Sequence, residues 1–172
     1  MLPAMPLPSP LPALLPHVAA LAAAILLGGC GSAGGEGLNL LGGTLQPCSG
    51  GSEEPTGVLR TGTCDWDAED LGYHEVCVVM SERFLRQSAE RDGNDLSSVV
   101  RPGGHWCICA WAWASAVERD PEAAEGLQLD CNATNGRLRE VYERFASLPG
   151  PTGRAYLSAA ALRRVDALCG SG

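Results

Sequence analysis

Lysine is missing from this chain. All twelve basic residues among its 172 are arginine, which excludes a Schiff base or a lysine nucleophile. Aromatic residues are scarce, with two Phe, three Tyr and four Trp, so each Trp is expected to anchor a core. Positive charge is also short. The net charge of −8 argues against nucleic acid as a partner, because neutralising phosphates requires a basic face. The unbroken apolar run from Val18 to Leu27 has ten residues, far below the roughly 20 that a transmembrane span needs. No Cys-x-x-Cys pair occurs, which removes the zinc ribbon and the thioredoxin-like motif. A Gly-rich phosphate loop, a nucleophile elbow and a His-Glu-x-x-His run are absent as well, and the chemistries they serve go with them.

What is present divides into a leader, residues 1–37, and a cysteine-containing domain, residues 38–168. Met1 to His17 is proline-rich, and the apolar run after it has the length of a signal-peptide core. Leu27-Gly28-Gly29-Cys30 looks like a bacterial lipobox, whose Cys would become the acylated first residue. The start carries no Arg or Lys, which departs from the usual signal pattern. A genuine leader implies export or lipid anchoring, and deleting Met1 to Gly37 is expected to leave a folded domain.

The domain reads as α+β: a small sheet with helices packed on it. Leu38 to Leu45 reads as a short strand or strand-turn. Asp65 is expected to cap a short acidic helical turn that Gly72 ends, with Asp65, Asp67, Glu69 and Asp70 as a solvated helix start. Tyr73 to Met80 is a strong strand signal, with Glu75 and Cys77 on one face and His74, Val76, Val78 and Met80 on the other. Ser81 and Gly93 bound a helix carrying Phe84 and Leu85 inward. After Pro102-Gly103-Gly104, the stretch His105 to Cys109 reads as a buried strand. Cys107 and Cys109 then share one face, with Trp106 and Ile108 on the core side. A helix follows with Trp113 inward, and Asp120-Pro121-Glu122 starts another. Leu127 to Cys131 alternates as a third strand. Leu138, Val141, Tyr142, Phe145 and Leu148 mark a helix ending before Pro149, and Ser158 is expected to cap a last helix with Leu162, Val165 and Leu168 inward.

Seven of the eight cysteines lie outside the leader: Cys48, Cys64, Cys77, Cys107, Cys109, Cys131 and Cys169. An odd number cannot all pair within one molecule. Cys107 and Cys109, joined by Cys64 or Cys77 and with His74 or Cys48 as the fourth group, have the donor types of a four-ligand site. Buried thiols packing as small hydrophobes fit the same strands. His74 sits beside Glu75, but adjacent strand residues face opposite ways, so these two are no dyad. Asn132-Ala133-Thr134 matches the glycosylation sequon.

Pro47-Cys48-Ser49, then Gly62 and Cys64, Glu69-Asp70-Leu71-Gly72 with His74, and Val76-Cys77-Val78-Val79-Met80 form ordered blocks. Phe84-Leu85, Gly93-Asn94-Asp95-Leu96-Ser97, Pro102-Gly103, Trp106-Cys107-Ile108-Cys109-Ala110 and Trp113 continue them. Together they resemble domain-of-unknown-function family 2237, well over residues 38–116 and loosely over 127–165. The resemblance implies a mostly bacterial family of small proteins without signal peptides, hence a cytoplasmic location if the leader is not genuine. It implies no established activity. It places Cys48, Cys64, His74, Cys77, Asn94, Asp95, Trp106, Cys107 and Cys109 on family positions, and leaves Cys30, Cys131 and Cys169 off them. Three departures stand out: Ser98-Val99-Val100 replaces a longer family loop, Gly104-His105 replaces an Asp-Arg pair, and Asn135 stands where the family has a His.

Three functional readings follow from these residues. The first is a Cys-rich domain that binds a structural metal such as zinc, since thiolate and imidazole suit that ion. The second is a thiol-dependent enzyme or redox sensor using Cys107 or Cys109, with Arg101 and His105 as the positive groups near in sequence. The third is a plain structural domain whose cysteines are buried or paired. A leader implies an oxidising compartment, which favours disulfides; the first two readings favour a reducing one.

Overall fold

The computed structural model describes residues 37–148 and 153–170; the expected leader and lipobox lie outside them. In chain order the elements are β1 (Val76–Val79), α1 (Glu82–Asp92), β2 (His105–Ile108), α2 (Ala110–Arg119), α3 (Pro121–Gly126), β3 (Gln128–Leu129), α4 (Arg137–Ala146) and α5 (Gly153–Cys169). The class is α+β. The three strands form an antiparallel sheet in the order β2-β1-β3, so β1 is central. Among the described residues no helix is long and apolar enough to cross a membrane.

The two-residue period of β1 and β2 divides the molecule into two interiors. Val76 pairs with Ile108 and Val78 with Trp106, and these four join Trp113, Leu138, Tyr142 and Val165 in the main apolar core. Apolar burial there stabilises the fold at about 25 cal/mol per Å² removed from water. The Tyr142 hydroxyl, buried in this core, donates to the Ala110 carbonyl at 2.8 Å, as a buried phenol requires. Cys77 and Cys107, paired with each other in the register, point the other way into a second, smaller cluster with Cys48, Cys64 and Ala133.

Helix α1 starts and stops where its residue types dictate. The Ser81 hydroxyl accepts from the Phe84 N–H at 3.1 Å, and Gly93 ends the helix at φ 66°, a conformation glycine adopts without a Cβ clash. Helix α5 packs on α2 and α4 and is tied to the end of β3 by the Cys131–Cys169 disulfide.

Several local expectations are corrected. The first strand starts at Val76 and not Tyr73, because Tyr73 has φ 52° and a left-handed residue cannot continue a pleated strand. No helix forms over residues 65–72. Asp65 is instead buried and accepts from the Thr61 hydroxyl at 2.6 Å and from that of Thr63, so its carboxylate closes a turn. Helix α5 begins at Gly153, which makes Ser158 a buried mid-helix residue and no cap, while Leu168 is 46 % exposed. Trp66 is exposed beneath the Arg137 guanidinium, 4.1 Å from its ring centroid, and anchors no core.

Candidate functional site

The sulfur cluster lies on the sheet face opposite the apolar core. Cys48 is bonded to Cys77, and Cys64 to Cys107, with Cα–Cα distances of 5.6 and 5.5 Å, inside the range that a disulfide spans. All four are buried. The sulfurs of Cys48, Cys64 and Cys77 lie within 4.8 Å of one another, so the two bonds are neighbours. The surrounding chain is fixed by hydrogen bonds to both strands. The Cys77 N–H donates to the Thr134 hydroxyl at 3.0 Å, and the Cys107 N–H to the Thr56 hydroxyl at 2.8 Å. Gly57, at φ 88°, lets the covering loop close: a Cβ there would sit 2.1 Å from the Thr63 carbonyl oxygen.

Cys109 does not join this cluster. β2 ends at Ile108 and α2 begins at Ala110, so Cys109 falls between a strand and a helix and the strand's alternation no longer governs it. It is a free, half-buried thiol. Burial pushes its pKa up, against weaker opposing effects from the Trp111 and Ala112 backbone N–H groups and Arg154, which disfavours the nucleophilic thiolate. Cys131 and Cys169 pair with each other, away from the family-position cysteines.

The remaining family-position residues meet elsewhere. His74, Asn94, Asp95 and Trp106 line a cleft of about 450 Å³ together with Arg60 and Phe84. His74 is a paired histidine, but its partner is Asp70, four residues earlier, and not Glu75. The ring Nδ1 lies 3.0 Å from Asp70 Oδ1, and the His74 backbone N–H donates to Oδ2 at 2.6 Å. Burial alone would raise the Asp70 carboxyl; the hydrogen bonds from His74 and Gly72 outweigh it and hold the group below its usual range. A carboxylate on Nδ1 fixes that nitrogen as the donor and leaves Nε2 as the second functional atom of the ring. The turn that brings this pair together is made by Tyr73 in its left-handed conformation. Arg60 shares that feature at φ 55°, and these two are the non-glycine residues with positive φ among those described. Strain of this kind, on the order of 1–3 kcal/mol per residue, clusters at binding and catalytic sites.

Glu75 is the other residue that sequence reasoning passed over. It is 1 % exposed, and neither carboxylate oxygen has a hydrogen-bond partner. Burial raises its pKa to about 7, with Arg137 pulling the other way and Asp70 and Glu140 adding to the rise. A lone acid directly before the apolar run Val76 to Met80 was its only signal. Of the departures from the family pattern, Ser98 and Val99 line the cleft, so the shortened loop alters its wall. Asn135 is buried; its Nδ2 donates to the Cys64 carbonyl at 3.3 Å and its Oδ1 accepts from the Arg137 N–H at 3.1 Å. It is a bracket for the sulfur cluster.

The geometry defines a class: a small α+β domain with cross-linked cysteines behind its sheet and a separate polar-rimmed cleft. The family model described as "Uncharacterized protein conserved in bacteria (DUF2237)" matches residues 38–143, more than half of the chain. The chain belongs to that family, whose function is uncharacterised. No curated protein matches the sequence.

Proposed function

We propose that four of the five family-position cysteines, Cys48, Cys64, Cys77 and Cys107, serve as structural cross-links and not as a catalytic or metal-binding centre. The observation that carries this reading is the pairing of Cys48 with Cys77 and Cys64 with Cys107 at disulfide distance, both in one buried cluster on the sheet. Each bond ties a loop to a neighbouring strand across 29 or 43 residues of sequence. In the loop-entropy model a cross-link of that span stabilises by about 4 kcal/mol. Three such bonds suit an oxidising compartment, which export through the leader would supply. The free thiol does not compete: Cys109 is raised by burial, the reverse of what a reactive cysteine needs.

A metal reading retains one specific support. The sulfurs of Cys48, Cys64 and Cys77 lie within 4.8 Å of one another, so three zinc-type donors are gathered in one place. Those atoms are zinc donors only as thiolates, so this reading requires both bonds to be reduced, with Cys107 completing the set.

The two readings separate in a melting experiment on the purified chain. A dithiol reductant is expected to lower the melting temperature, and a strong chelator to leave it unchanged. A chelator-sensitive melt that ignores the reductant would replace the cross-link reading with the zinc one.

A further inference from the structure

Of the cross-linked cysteines, Cys107 alone lines the cleft beside the sheet. Its apolar part is formed by Phe84, Val99, Trp106 and Ile108, with Phe84 and Trp106 almost fully covered by the fold. Its polar part comes from three separate segments: Arg60 on the covering loop, His74 on the turn before β1, and Asn94 with Asp95 after α1. A volume of about 450 Å³ lies within the span usual for small-molecule sites. It admits one or two rings.

Arg60 is the informative residue. Its guanidinium lies over the Trp106 ring, 5.1 Å from the centroid, and it makes no ion pair among the described residues. A guanidinium held over a ring without an ion pair has N–H donors to offer, and their planar fork matches a carboxylate in a two-point contact. The residue also holds a positive φ in place of the glycine that would relieve it. Asp95 supplies the opposite charge. It accepts from the Ser97 N–H at 2.9 Å, which holds the turn and keeps the group ionised. A phosphate dianion would meet this carboxylate in the same cleft, with one guanidinium to offset two charges. A singly charged carboxylate that also carries a hydrogen-bond donor satisfies both groups.

We propose that this cleft binds a small aromatic carboxylate bearing a hydroxyl or amino donor. The carboxylate pairs with Arg60, the ring lies against Phe84, Val99 and Trp106, and the donor is received by Asp95. His74, oriented by Asp70, presents Nε2 to the bound ring's polar edge.

The test is titration of the full chain with 4-hydroxybenzoate, benzoate and 4-hydroxybenzamide, read by calorimetry and by NMR shifts. Saturable binding of 4-hydroxybenzoate is expected, with shifts at the Trp106 and His74 side chains. Replacing the carboxylate by the amide, or Arg60→Met, is expected to weaken binding by about tenfold or more, as loss of a charge-assisted two-point contact does. Asp95→Asn is expected to weaken 4-hydroxybenzoate while leaving benzoate unchanged. If Arg60→Met does not fold, the amide probe and Asp95→Asn still decide the matter. Failure of 4-hydroxybenzoate to saturate at millimolar concentration, equal binding of acid and amide, or shifts confined to residues outside the cleft would each overturn the proposal.

Discussion

Glu75→Gln isolates one buried charge, and its effect is set by sign and size together. The carboxyl is 1 % exposed without a hydrogen-bond partner, and its pKa rises from 4.5 to about 7 because burial disfavours the charged form. A folded pKa above the unfolded one means that the neutral acid is the form the fold tolerates. The stability linked to this group is therefore fully present below about pH 4.5 and is lost as pH rises through about 7. A gap of about 2.5 units at 1.36 kcal/mol each corresponds to roughly 3 kcal/mol, or roughly 10 °C in melting temperature for a domain of this size. Glutamine keeps the shape and cannot ionise. The assay is a set of thermal melts of both proteins from pH 4 to pH 8. The variant is expected to match or slightly trail the wild type at the acid end and to exceed it at pH 8, with the difference opening between the two pKa values. Two parallel curves would refute the reasoning, since they would mean that Glu75 ionises in the fold without penalty.

Three further outcomes follow from the packing. Thr134→Val is expected to destabilise the domain by about 1–3 kcal/mol in chemical denaturation, because the buried Cys77 N–H loses its acceptor and an unmet buried donor carries that penalty; no change would show that water reaches the site. Gly57→Ala is expected to prevent native loop closure, since its Cβ falls 2.1 Å from the Thr63 carbonyl oxygen; a variant with native disulfides and an unchanged melt would contradict that. Trp113→Ala, at a position 1 % exposed, is expected to cost about 3–5 kcal/mol; a loss under about 1 kcal/mol would mean the core collapses around the gap.

Strand faces were legible because a two-residue period needs only local sequence. Val76, Val78, Trp106 and Ile108 fall on the core side as the alternation requires, with Cys77 and Cys107 opposite. The same rule failed at Cys109, where one residue beyond the strand the backbone enters a helix. Disulfide partners were not legible at all, because bonds across 29 to 43 residues depend on how loops return to the sheet. The Asp70–His74 pair escaped notice for a related reason. Asp70 reads as part of a helical turn ended by Gly72 and His74 as a strand residue, whereas a left-handed Tyr73 folds the segment into a tight turn that brings the two together. Glu75 stood directly before an apolar run and on the same strand face as Cys77, and neither its burial nor its lack of a partner was read from that position. The cleft draws on residues from Gly57 to Ala112 and has no contiguous motif.

The central claim is that Cys48, Cys64, Cys77 and Cys107 are cross-links. Peptide mapping of the full chain, digested without reductant after blocking free thiols and combined with metal analysis of the same sample, tests it most directly. The account predicts linked peptides joining Cys48 to Cys77, Cys64 to Cys107 and Cys131 to Cys169, a blocked Cys109, and no stoichiometric zinc. Recovery of Cys48, Cys64, Cys77 and Cys107 as blocked thiols from protein carrying one equivalent of zinc would contradict it.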